Sequence, residues 1–93
     1  MAQTKRPSAA EDQELIDVTI DLEWDRYPSR RADARTREGV PVWALIAFQR
    51  GTGYDRDQLA QAYNRSREVV DAACGYYRQN KKYIDPRIRL TVG

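Results

Sequence analysis

The residues best suited to meet a ligand are basic. Arg65, Ser66 and Arg67 stand together at the start of a predicted helix, and a guanidinium fork matches both phosphate oxygens and the outer edge of guanine. This triplet is the expected DNA contact. Glu68 and Asp71 follow at once, however, and a carboxylate beside a phosphate backbone is repelled, so the same face reads equally well as solvated and internally balanced. Arg78, Lys81 and Lys82 come later, where they either extend a basic flank for DNA or complement the negative end of the helix dipole. A second cluster, Arg26, Arg30, Arg31, Arg35 and Arg37, fills "DRYPSRRADARTREG". It suits a clamp on an acidic partner or on phosphate, or a solvated connector.

Catalysis finds little support. The chain has no His, and its one Cys, Cys74, sits in the run Ala72, Ala73, Cys74, Gly75, so the commonest acids, bases and nucleophiles are missing. An enzyme is not expected. The glycines of "RGTG" lack the preceding strand and following lysine of a phosphate-cradling loop, and no zinc set can form without His. No cofactor, metal or internal disulfide is therefore anticipated.

The 93 residues suffice for one small domain. No apolar run is long enough to span a bilayer, and "MAQTKRPSAAEDQE" has no signal-like apolar stretch, which points to a cytoplasmic protein. The net charge of +2 is unevenly spread: residues 11–25 carry seven acids and no base, whereas residues 26–93 carry fourteen basic and seven acidic residues. A basic body with a net charge of +7 tends to meet nucleic acid or acidic protein surfaces.

These side chains need elements to position them. Residues 1–14 read as a flexible tail. In residues 15–24, Ile16, Val18, Ile20, Leu22 and Trp24 alternate with polar residues, the period of a half-buried strand. Residues 86–92 repeat the pattern with Ile88, Leu90 and Val92. The two strands are expected to pair, acidic face beside basic face, within one chain or swapped between chains. Because a two-stranded ribbon is marginal alone, a homodimer is favoured. Residues 25–40 form an Arg-rich loop between strand and helices.

Residues 41–80 predict three helices. The first opens at Pro41 and stops at Gly51; the second opens at Asp55 with Gln58 in capping-box register; Asn64 turns the chain and Ser66 caps the third. Ala60 is the small crossing residue, and Leu59, Tyr63, Val70 and Ala73 form the inner wedge, the requirements of a helix-turn-helix. Tyr76 and Tyr77 belong to the core. The predicted fold class is thus mainly α with a small β part: a three-helix, helix-turn-helix core plus a ribbon of terminal strands.

"GVPVWALIAFQRG", "QLAQAY" and "VVDAACGYYRQNKKYIDPRI" together resemble the domain of unknown function 433 family, small prokaryotic VapB-like antitoxins. The resemblance spans Gly39 to Ile88, about half the chain. It implies a homeodomain-like core, dimerisation, neutralisation of a PIN-like ribonuclease toxin and repression of the protein's own operon. It implies no catalytic residue. The expected function is therefore an antitoxin-like DNA-binding protein, with a protein-interaction or dimerisation module lacking DNA binding as the alternative.

Overall fold

The computed structural model describes residues 9–92. Among them five α-helices dominate: α1 (Ala9–Thr19), α2 (Val42–Thr52), α3 (Arg56–Tyr63), α4 (Arg67–Gln79) and α5 (Lys81–Val92). Two 3-10 segments, Leu22–Arg26 and Pro28–Asp33, join α1 to α2. Of the expected tail, residues 1–8 lie outside the described residues, and from Ala9 onward it is helix.

The central helices form where their boundary residues dictate. Pro41, extended at ψ 129°, caps α2, and Gly53 ends it at φ 73°, a conformation that costs a residue without Cβ little. A reciprocal capping box between Asp55 and Gln58 opens α3, and Asn64 closes it in the left-handed region at φ 53°. Ser66 then caps α4, accepting the Val69 N–H. The result is helix, three-residue turn, helix.

Helix α4 is the centre of the packing. Val70, Ala72, Ala73, Cys74, Gly75 and Tyr76 are all buried on it, and α1, α2, α3 and α5 lie against it. Leu45, Leu59, Ile84 and Ile88 complete the core from the other helices. Each such aliphatic side chain contributes roughly 1.5–3 kcal/mol through removal from water.

Neither expected strand forms: residues 15–19 end α1, Ile20 makes only an isolated bridge, residues 22–24 are 3-10, and residues 86–92 are α-helix. Ile16 and Ile20 are buried, as the alternation requires, but Val18 between them is 69% exposed, and the buried pair stands at helical i, i+4 spacing. Leu15 and Leu22 pack only at the core's margin. At the other end Ile84 and Ile88 are the buried i, i+4 pair while Leu90 is 86% exposed, so "RIRLTV" continues α5 through Pro86. An i, i+2, i+4 series contains an i, i+4 pair, and packing against α4 decided between the two periods. The side chains of Trp24 and Val92, also assigned to those apolar faces, lie outside the described residues.

The expected ribbon is therefore absent among the described residues, and with it the reason to infer a dimer from paired or swapped strands. What β pairing exists is local: isolated antiparallel bridges join Ile20 to Thr36 and Arg35 to Pro41. The Asp21 N–H donates to the Arg35 carbonyl at 2.9 Å, and Thr36 N–H to the Val40 carbonyl at 2.8 Å, with Gly39 turning at φ 94°. Residues 25–40 are thus a folded connector of 3-10 turns and bridges, not an open loop.

Gly75 is a point of close approach of α1 to α4: a Cβ there would lie 3.3 Å from Ile16 Cδ1. Gly75→Leu should push α1 outward and lower stability by about 1–3 kcal/mol in urea denaturation. Gly75→Ala should be near neutral, since its gain in helix propensity offsets the tight contact. A Leu variant as stable as the parent would contradict this packing.

Candidate functional site

The mouth of α4 brings Arg65, Ser66 and Arg67 together as the sequence predicts, but with Ser66 and Arg67 engaged by groups of the same chain and Arg65 within ion-pair distance of Glu38. Ser66 Oγ accepts from Val69 N–H at 3.4 Å, which satisfies an otherwise orphaned helix donor. Arg67 Nη1 lies 2.7 Å from Asp57 and its Nε 3.0 Å from Asp71. Asp71 also holds Arg56 Nη1 at 2.8 Å, and Arg65 Nε stands 3.4 Å from Glu38. The hydrogen bonds to Asp57 and Asp71 hold the Arg67 guanidinium above its ordinary pKa. Three arginines therefore face Glu38, Asp57 and Asp71, with Glu68 alongside, and the mouth carries no positive excess.

Arg78, Lys81 and Lys82 belong to the opposite end. At 1.5 Å per residue Arg67 and Arg78 are about 16 Å apart along α4, too far to act on one contact. Lys81 Nζ sits 5.9 Å from the Tyr77 ring and Lys82 Nζ 5.1 Å from the Tyr83 ring, with both lysines exposed. Beside them Arg50 and Tyr77 both donate to Asp85, at 2.9 and 2.6 Å, and Arg50 also meets the Tyr77 hydroxyl. The Tyr77 hydroxyl and Arg50 hold the Asp85 carboxyl below its usual range.

The arginines assigned to a partner clamp do not act as one group. Arg31 is half-buried, reaching Asn80 Oδ1 and the Asp25 carbonyl, both at 3.4 Å, and lying over Tyr83. Arg37 donates to the Asp17 carbonyl at 3.1 Å and holds the end of α1. Arg26, Arg30 and Arg35 are exposed. Arg31 and Arg37 also help fix the connector, because their guanidiniums donate to backbone and side-chain acceptors of the same chain.

Sequence reasoning misses three contacts here. Tyr76 donates to Asp25 at 2.6 Å across 51 positions, Arg50 reaches Asp85 across 35, and Arg87, paired with Asp33 at 2.9 Å, lies over Trp43. Only the Arg67–Asp71 pair has a local signal, its i, i+4 spacing. Among the described residues no group of His, Cys, Asp and Glu is placed to hold a metal ion, and no helix is long and apolar enough to cross a membrane. Burial pushes the Cys74 thiol up, away from the reactive thiolate. Comparisons with protein-family models, curated proteins and solved structures find no match to the chain.

Tyr76 couples the connector to α4, and burial, reinforced by its bond to Asp25, raises its hydroxyl well above the ordinary value of 10.0. A raised folded-state pKa means stability that is complete below pH 10 and is lost as pH rises above it toward the folded value. Tyr76→Phe should cost roughly 1–2 kcal/mol at pH 8 through the lost hydrogen bond. Its denaturation midpoint should then fall less steeply than the parent's between pH 9 and pH 11. Parallel slopes would show that Tyr76 does not titrate with unfolding.

Proposed function

We propose that this protein is an antitoxin-like helix-turn-helix module whose principal task is to bind a partner protein. The observation that carries this reading is the ionic mouth of α4: Arg56, Arg65 and Arg67 are engaged by Glu38, Asp57 and Asp71 within the chain. A DNA reader would bring Glu68 and Asp71 against phosphate at a mouth whose arginine charge is already balanced, whereas a protein surface of mixed charge can meet the mouth as it stands. The resemblance of Gly39 to Ile88 to the antitoxin family supports a PIN-like ribonuclease toxin as the partner class. A cytoplasmic homodimer is part of the same proposal, with Val18 and Leu90 the most exposed large apolar side chains among the described residues.

Repression of its own operon is the second reading, favoured by the excess of fourteen basic over seven acidic residues from position 26 onward. Arg78, Lys81 and Lys82, rather than the mouth of α4, are then the phosphate contacts. Co-expression with the product of the adjoining reading frame tests the principal reading. The two chains should elute together in size exclusion, and growth arrest caused by the neighbour alone should be relieved. Separate elution with no effect on growth would overturn it.

A further inference from the structure

Between α4 and the facing ends of α2 and α3 lies a cleft of about 200 Å³, and its lining is chemically one-sided. Arg50 from α2, Arg56 from the first turn of α3 and Arg78 from α4 all line it, and no carboxylate among the described residues does. Ile46 and Cys74, both buried, supply an apolar floor. Two of these arginines pair with carboxylates that stand outside the lining: Asp85 meets Arg50 through Nη2, where the Tyr77 hydroxyl also meets it, and Asp71 meets Arg56 through Nη1. Arg78 is engaged within the chain as well. Since a guanidinium presents five N–H donors, the contacts of Arg50 and Arg56 leave Nε and one Nη of each of these two side chains for a second acceptor.

We propose that this cleft is a carboxylate pocket, in which Arg50, Arg56 and Arg78 receive the side chain of a Glu or Asp from an acidic segment of the partner protein. This rests on the partner-binding reading above and names the chemistry of its contact. Guanidinium and carboxylate match as charge-assisted, planar pairs, and the Ile46 and Cys74 floor suits the methylenes that carry a glutamate carboxylate inward. A nucleic-acid backbone fits less well. Its phosphates come in a regular row, and the neighbouring stretch of α4 presents Glu68 and Asp71 to the next one.

The test is an NMR titration of the full chain at low salt with a hexaglutamate peptide and, separately, a double-stranded oligonucleotide. Hexaglutamate should move the Nε–H signals of Arg50, Arg56 and Arg78 and the Cys74 amide. The double variant Arg56→Gln/Arg78→Gln should weaken binding by about tenfold or more, a loss typical of removing charge-assisted hydrogen bonds. Arg78→Gln alone, at an exposed side chain, should weaken it measurably with the fold intact by circular dichroism. Shifts confined to Arg65, Arg67, Lys81 and Lys82, or cleft shifts with the oligonucleotide and none with hexaglutamate, would overturn the assignment. If the co-purifying partner binds the double variant unchanged, the pocket fails while the partner-binding reading stands. If hexaglutamate fills the cleft but the neighbouring gene product does not associate, the pocket stands and that reading fails.

Discussion

Four small residues in succession, Ala72, Ala73, Cys74 and Gly75, let one helix be approached from several sides at once. Larger side chains there would hold α1 away from α4, where Ile16 now lies within 3.3 Å of the place a Gly75 Cβ would take. With α1, α2, α3 and α5 all against α4, most of its length is enclosed. What remains accessible on α4 is its mouth, its C-terminal end, and the edge carrying Arg67, Asp71 and Arg78. The same constraint explains why a small domain whose one cysteine is free has one continuous core among the described residues.

Charge is distributed unevenly along that accessible edge. At the mouth, arginines and aspartates from α3 and α4 satisfy one another, and exposed pairs of this kind contribute little to stability because water screens them. Their larger effect is on recognition, because a neutralised mouth offers little to a polyanion. Farther along, between α4 and the ends of α2 and α3, the cleft is lined by three arginines and, among the described residues, by no carboxylate. The two ends of one helix thus present different chemistry. The proposed partner contact follows from that difference rather than from the basic total of the chain.

Much of the helical core is legible in the sequence, since its signals are local. Asp55 with Gln58, Asn64, Ser66 and the glycines after α2 each act within one turn, and the structure places the caps and the left-handed turn where those residues predict. The terminal elements are misread because Ile16, Ile20, Ile84 and Ile88 satisfy helix and strand periods alike; the exposed Val18 and Leu90 distinguish them only once tertiary contacts exist. The aspartates of "IDVTIDLEW", poor strand formers, are the one local signal against a strand. At the site, Glu68 and Asp71 beside the basic triplet already indicate balance. Arg56, Arg50 and the Tyr76–Asp25 bond join distant segments, and no spacing rule reaches across them.

The central claim is that the arginines at the mouth of α4 are occupied within the chain and do not read DNA. A gel shift with DNA from upstream of the protein's own gene, repeated across a salt series, tests this most directly. The account predicts that Arg65→Ala/Arg67→Ala leaves any association, and its salt slope, unchanged. Tight binding that falls steeply with salt and loses slope in that double variant would contradict it.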